Sequence, residues 1–99
     1  MIDRRVKKVT VQFGETKKDF WIRSLTEREL QDLIRIVDTK KAEFNARLIA
    51  ACVCNEEGQV AHSLQEVLEW DAAITVRLAR ICSQHVGITE EAIEEAEKN

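Results

Sequence analysis

The sequence predicts a single α+β domain, mostly helical, in which an amino-terminal β-hairpin is followed by four to five helices. Residues 6–13 alternate apolar and polar side chains as a strand does. Helix-capping sequences recur further along, each followed by apolar residues at helical spacing. The 99 residues are 44% hydrophobic and 33% charged, which suits one folded domain. We expect the domain to span 1–99, with the hairpin at 1–24 and the helices at 26–97.

Two strand patterns form the predicted hairpin. Val9, Val11 and Phe13 fall on one side of the first strand at period two. Residues 14–18 read Gly-Glu-Thr-Lys-Lys and predict a turn, and the aromatic and β-branched residues of 19–23 predict the second strand. Because two strands alone are marginally stable in water, we expect the hairpin to pack on the helices.

The first two helices are predicted from a cap and from an apolar run. Thr26 and Glu29 have the spacing of a capping box, and apolar residues follow at helical intervals. The Lys40-Lys41 pair predicts a break before a second helix over 42–54. That second segment is apolar nearly all round, which is typical of a helix at the centre of a domain.

The later helices are predicted from three more amino-terminal caps and one glycine at a helix end. Ser63 and Glu66 repeat the capping-box spacing and predict a third helix through Trp70. Asp71 either caps a separate fourth helix or lies within a continuous one. Gly87 stands where a left-handed helix end favours glycine. Residue 89 is a threonine that predicts the cap of a last short helix with an acidic first turn.

The residue types that catalysis or metal binding requires do not converge in this pattern. Cys52 and Cys54 lie two apart on a predicted helix and so point to opposite sides. Cys82 and His85 share a face, but a metal site needs two further ligands. Three glycines provide no phosphate-binding loop. We expect a binding protein without a cofactor, not an enzyme, and the thiols within apolar stretches indicate a reducing compartment.

Charge is divided between the two ends of the chain. Residues 1–23 carry a net +4 and the other 76 residues a net −7. Such a separation bears on association with partners rather than on fold. We predict self-association between a basic and an acidic set, namely Arg4, Arg5, Lys7 and Lys8 with Glu90, Glu91, Glu94 and Glu95. An equally weighted interpretation is that the basic residues protect an edge strand and the glutamates solubilise a terminal helix.

Three blocks occur in a distinctive order along the chain. They are the hairpin before Leu25-Thr26-x-x-Glu29-Leu30, the run LIAACVCNEEG at 48–58, and VGITEE at 86–91 before the acidic end. Over essentially the whole chain, this order resembles the tail assembly chaperones of bacteriophages with long, non-contractile (siphovirus-type) tails. The segment Gln59-Val60-Ala61-His62 departs from the resemblance, because a larger apolar or aromatic residue is expected there.

The resemblance implies a function and partners. Such a chaperone binds the tape measure protein in the bacterial host cytoplasm, keeps it soluble, promotes tail tube assembly and is absent from the virion. A longer form, made by ribosomal frameshifting, would bring the tail tube protein to the tape measure protein. The codons for Glu97-Lys98-Asn99 can contain a slippery run of the kind at which such frameshifting occurs. Coating a long partner implies a homo-oligomer. Trp21 and Trp70 are the candidate tape-measure contacts, although large aromatics lie in the core by default.

Two other functions stay open at this point. A small structural virion protein, such as a tail-completion protein or connector, would be present in purified particles. A small nucleic-acid-binding regulator would use the basic end on phosphates and Trp21 or Phe20 on bases. The basic footprint is short, the net charge is −3 and no reading motif is present, so we expect no nucleic acid partner. No apolar run approaches the roughly 20 residues of a membrane span, so we expect no membrane partner.

Overall fold

The structure is a computed structural model that describes residues 6–39 and 41–87. It is a compact mixed α+β domain, as the predicted class requires, with a three-stranded antiparallel sheet in the order β1-β2-β3. The elements are β1 (Val6–Phe13), β2 (Thr16–Arg23), α1 (Glu27–Thr39), a 3₁₀ turn (Lys41–Glu43), α2 (Phe44–Cys52), β3 (Val53–Cys54), α3 (Leu64–Leu68) and α4 (Ala72–Val86). The helix predicted from Thr89 lies outside the described residues.

The turn between β1 and β2 is shorter than the sequence predicts. It contains only Gly14 and Glu15, and β2 begins at Thr16, which pairs with Phe13. Gly14 has a φ of 60°, at the position where a type II′ turn places glycine. The predicted five-residue turn at 14–18 is therefore wrong. Its last three residues are exposed and polar, so they carry no apolar alternation that would mark them as strand.

A third strand occupies the end of the segment predicted as the second helix. The helix α2 ends at Cys52, and Val53 is already extended, with φ −71° and ψ 128°. Val53 pairs with Ile22, and Cys54 pairs with Trp21 on β2. The prediction of a helix to Cys54 is wrong because a short apolar run fits a buried strand as well as a helix. The argument that placed Cys52 and Cys54 on opposite sides of one helix fails with it.

The caps predicted at Thr26, Ser63 and Asp71 are confirmed by their hydrogen bonds. The Thr26 N–H donates to Glu29 Oε1 at 2.8 Å, and the Glu29 N–H donates to Thr26 Oγ1 at 3.2 Å. Ser63 Oγ accepts from the Glu66 N–H at 3.2 Å. Asp71 caps α4 and makes it separate from α3, which settles the alternative left open by the sequence. Gly87 ends α4 in the left-handed conformation, with φ 80°.

The core is centred on α2, as its apolar sequence indicates. Leu48, Ile49 and Cys52 have no exposed surface, and they belong to a core cluster with residues of the sheet and of α4. Ile22 of β2 and Leu78 of α4 belong to the same cluster and are equally buried. Helix α1 contributes fewer buried residues, chiefly Leu33.

Candidate binding groove

A groove of about 400 Å³ opens between α1, α2 and the extended segment 60–64. We call it the α1–α2 groove. Its apolar lining consists of Leu33, Ile36, Ala50, Ala51, Val60 and Leu64. Its polar and charged lining consists of Glu29, Asp32, Arg47, His62 and Ser63. The exposed surface inside it is mainly apolar, which is the usual character of a site for an apolar partner.

The groove is open because short side chains stand where large ones would fill it. Ala50 and Ala51 of α2 face Leu33 and Ile36 of α1, and neither alanine fills the space between the helices. At the edge of the groove, Val60 leaves 56% of its surface exposed. Apolar side chains are therefore exposed to solvent between α1 and α2, where larger side chains would have packed against each other.

The side chain of Arg23 connects the three parts of the chain that surround the groove. Arg23 is only 8% exposed. Its Nε donates to the Ala51 carbonyl at 2.9 Å and its Nη1 to the Gly58 carbonyl at 3.2 Å. Its Nη2 donates to Glu29 Oε2 at 3.3 Å, while the other carboxylate oxygen of Glu29 accepts from Thr26. One guanidinium thus fixes α1, the end of α2 and the turn that leads to Val60.

The turn before Val60 is held by the side chain of Asn55. Asn55 Oδ1 accepts from the backbone N–H groups of Glu57 and Gln59, at 2.9 and 3.0 Å. Gly58 has a φ of 83°, a conformation that favours glycine, and a Cβ there would lie 3.4 Å from a Val6 methyl group. The chain then returns to the sheet through the bridge between Cys54 and Val60. This geometry presents Val60 at the edge of the groove.

The charged residues of the groove are arranged unequally. On the α1 side are the carboxylates of Glu29 and Asp32, one helical turn apart. Arg47 on α2 is held by Glu43 at 3.0 Å, which offsets its charge. The Nε of Arg47 is shielded from solvent and has no hydrogen-bond acceptor within the described part of the chain. Because Glu29 is paired with Arg23 at 3.3 Å, the acidic character of the α1 edge comes mainly from Asp32, beside an apolar floor.

His62, which lines the groove, packs against Trp70, which does not. The His62 ring meets the Trp70 ring edge-on, with centroids 4.8 Å apart, and the Phe20 ring lies 5.8 Å from Trp70. The Lys18 amine lies 5.6 Å from the Phe20 centroid and 5.9 Å from that of Trp70. His62 Nδ1 is 3.0 Å from Glu66, and this hydrogen bond lowers the pKa of the Glu66 carboxyl group.

The two predicted tryptophan contacts do not form one surface. Trp70 packs against the core beside Phe20, and its half-buried ring has neighbours on several sides. Trp21 is also half-buried, but it follows Phe20 on β2 and therefore points to the opposite face of the sheet. There it lies opposite Lys8 of β1 and Cys54 of β3. Neither tryptophan lines the α1–α2 groove.

The predicted basic residues are likewise separated. Lys7 and Lys8 are neighbours on β1 and point to opposite faces of the sheet. Lys7 lies beside His85 near the end of α4. Lys8 Nζ is 3.5 Å from Asp19, whose pKa is lowered by a hydrogen bond from Thr10 and by Lys8. The other predicted self-association residues, Arg4, Arg5, Glu90, Glu91, Glu94 and Glu95, lie outside the described residues.

The three cysteines are buried and close to one another. A hydrogen bond with Cys52, together with burial, raises the pKa of the Cys82 thiol. Across residues 6–39 and 41–87, no group of three or more side chains is placed to hold a metal ion. None of the helices in that same part of the chain combines the length and the apolar character needed to cross a membrane.

Comparison of the chain with known protein families, curated proteins and solved structures finds no match. The candidate site therefore rests on the geometry of the groove. Sequence patterns did not select Arg23, Arg47 or Val60 for it. The available signal was the alanine pair of α2 followed by a valine where the resemblance expects a larger side chain.

Proposed function

We propose that the chain is a tail assembly chaperone of a phage with a long, non-contractile tail. In this proposal it binds the tape measure protein in the host cytoplasm, keeps it soluble and promotes tail tube assembly, and it is absent from the mature virion. The α1–α2 groove carries the proposal, because its exposed lining is mainly apolar and includes Val60, which is 56% exposed. A factor that shields apolar helices needs such a surface.

The arrangement of charged side chains favours a protein partner over a nucleic acid. A phosphate-binding surface needs several free cations on one face. Lys7 and Lys8 point to opposite faces, and Lys8 is paired with Asp19. The amine of Lys18 lies over two aromatic rings. The groove itself has an acidic edge, which repels phosphates.

The polar groups at the groove also favour binding over catalysis. Glu29 is engaged by Arg23 and by the amide of Thr26, and Arg47 is engaged by Glu43. These contacts hold helices together, and the groove brings no nucleophile and base within hydrogen-bond distance of each other in the described residues. The proposed role is therefore the capture of a partner.

Self-association along the tape measure protein is part of the proposal. A basic amino-terminal end and an acidic carboxy-terminal end on successive copies give a head-to-tail contact that propagates. Exposed charges are screened over about 8–10 Å at physiological salt, so the assembly should weaken as salt is raised. Sedimentation velocity at low and high salt measures this, and a monomer at all concentrations in low salt would contradict it. A longer frameshifted form would add the contact to the tail tube protein.

Co-expression tests the function directly. The tape measure protein of the encoding genome is produced with and without the chain, and its soluble fraction is measured by centrifugation. We expect it to be soluble only with the chain. Mass spectrometry of purified phage particles is the second measurement, because a chaperone is absent from them. Stoichiometric presence in particles would overturn the proposal and support a connector or tail-completion protein instead.

A further inference from the structure

We infer that the α1–α2 groove holds about two turns of an amphipathic helix whose flank facing α1 is basic. The inference rests on the proposed function, because it names the surface and the partner chemistry by which the chain would hold the tape measure protein. It does not need the tryptophans or the chain ends. Its basis is the length, the apolar lining and the charges of the groove.

The length of the groove matches two helical turns. On α1 the lining runs from Glu29 to Ile36, which is about 10 Å at a rise of 1.5 Å per residue. Residues at i, i+3 or i+4, and i+7 of a partner helix span the same distance and present one apolar stripe. Ala50 and Ala51 on the opposite wall allow close approach, since helix axes separate by less when side chains at the contact are small.

Charge complementarity defines the partner further. The Asp32 side chain is 59% exposed, and its nearest cation, Arg35, is 3.9 Å away on the same helix. Glu29, one turn earlier, is paired with Arg23 at 3.3 Å, so the negative charge of this edge comes mainly from Asp32. Arg47 on the other side is already balanced by Glu43. Lys or Arg on the side of the partner helix that faces α1 should therefore strengthen binding, and Glu or Asp at the same positions should weaken it.

The shielded Nε of Arg47 is a second feature that a partner can complete. It is a donor with no acceptor in the described part of the chain, and it lies on a residue that lines the groove. A buried donor without an acceptor costs free energy, so a small movement of Arg47 toward a polar atom of the partner is favourable. The apolar stripe and basic flank remain the main determinants.

Two synthetic 18-residue peptides with the same leucine stripe test the chemistry. One has lysines flanking the stripe and the other has glutamates, and fluorescence anisotropy at low salt measures their binding. We expect the lysine peptide to bind at least about tenfold more tightly, with amide chemical-shift changes confined to α1, the end of α2 and residues 60–64. Equal affinity of the two peptides would overturn the charge assignment, and shift changes elsewhere would overturn the groove.

Val60→Lys is the decisive variant, and Val76→Lys is its matched control. Both valines are exposed, by 56% and 49%, and Val76 lines a separate depression on α4 that shares no lining residue with the groove. Both variants add the same charge, so only position differs. Val60→Lys should weaken binding of the lysine peptide by at least about tenfold, while Val76→Lys should bind as the unaltered chain does. Equal effects of the two would overturn the groove as the binding site.

A second pair tests the acidic edge. Asp32→Lys should lower the affinity for the lysine peptide and reduce the salt dependence of its binding. Glu15→Lys makes the same charge change at the hairpin turn and should do neither. Circular dichroism and urea unfolding establish that each variant is folded. A different result would show that the groove holds a second copy of the chain: the unaltered chain binds neither peptide and forms a dimer, and Val60→Lys abolishes that dimer. The inference would then be wrong.

Repeating the co-expression with Val60→Lys separates this inference from the proposed function. A tape measure protein kept soluble by the unaltered chain and by Val76→Lys, but not by Val60→Lys, supports both. Solubility with all three supports the function and overturns the groove. Insolubility even with the unaltered chain overturns the function, and the peptide measurements then decide the groove alone.

Discussion

Arg23 is the residue whose replacement should reveal most about this fold. It is the most buried charged side chain among the described residues, with 8% of its surface exposed. Arg23→Met keeps the length and apolar stem of the side chain but removes all of its hydrogen bonds. The carbonyl groups of Ala51 and Gly58 lose their donor, and the carboxylate of Glu29 loses its cation.

The expected cost follows from these contacts. A hydrogen bond to a charged group contributes about 1.5–3 kcal/mol, and removing one partner of a buried ion pair costs about 3–5 kcal/mol. Thr26 still donates to Glu29, so its carboxylate keeps one partner. We expect a loss of about 4 kcal/mol in the free energy of unfolding, which is a large part of the roughly 5–15 kcal/mol of a typical domain. Arg23→Lys keeps the charge without the forked geometry and should lose about half as much.

Urea unfolding followed by circular dichroism measures this loss. With a slope of about 1.5 kcal/mol per molar, the midpoint of Arg23→Met should fall by about 2.7 M. Arg77→Met is the control, because Arg77 is exposed and its Nη1 donates to the Ala73 carbonyl one turn earlier. That variant should change the stability by about 0.5 kcal/mol or less. If the two variants differed by less than about 1 kcal/mol, the structural role given to Arg23 would be wrong.

The thiols, the Arg47 side chain and the Glu66 carboxylate give three further predictions. The cysteines are buried, and a hydrogen bond with Cys52 together with burial raises the pKa of Cys82. Iodoacetamide at pH 8 should therefore label them only after unfolding, and rapid labelling of folded protein would contradict this. Arg47→Met loses a helix-surface ion pair of about 0.5 kcal/mol but removes a buried donor without an acceptor, so urea unfolding should show a gain of about 1 kcal/mol, and a clear loss would refute it. Because the pKa of Glu66 is lower in the folded state, its ionised carboxylate stabilises the fold above the unfolded pKa of about 4.3, and this contribution is lost as pH falls through the folded pKa. The free energy of unfolding should therefore fall more steeply with decreasing pH in the unaltered chain than in Glu66→Gln. Parallel pH profiles of the two proteins would exclude the effect.

The parts of the fold that the sequence predicted correctly are those with local causes. Thr26 caps α1 through a residue three positions away, and Ser63 caps α3 in the same manner. Asp71 and Gly87 mark the two ends of α4 by backbone geometry that involves only their neighbours. Interactions over so few residues survive in any tertiary context, so a pattern of residue types is sufficient to find them.

The features that the sequence did not predict depend on distant partners. Val53 joins the sheet because Ile22 is there to pair with it, and nothing within the apolar run distinguishes that strand from more helix. Lys18 lies in a strand because Val11 opposes it, although its own neighbours are polar. Arg23 looked like one of several basic residues near the amino terminus. Its role is set by carbonyl groups 28 and 35 positions away.

The same long-range contacts explain why stability and the groove are linked. The carbonyl of Ala51 lies in the last turn of α2, where helix carbonyls lack intrahelical donors, and Arg23 provides one. Because that guanidinium also holds Glu29 and the turn before Val60, the walls of the groove are fixed before a partner arrives. A preformed groove loses less conformational entropy on binding. Arg23→Lys should therefore weaken binding of the lysine peptide even where the variant stays folded, although Arg23 does not line the groove.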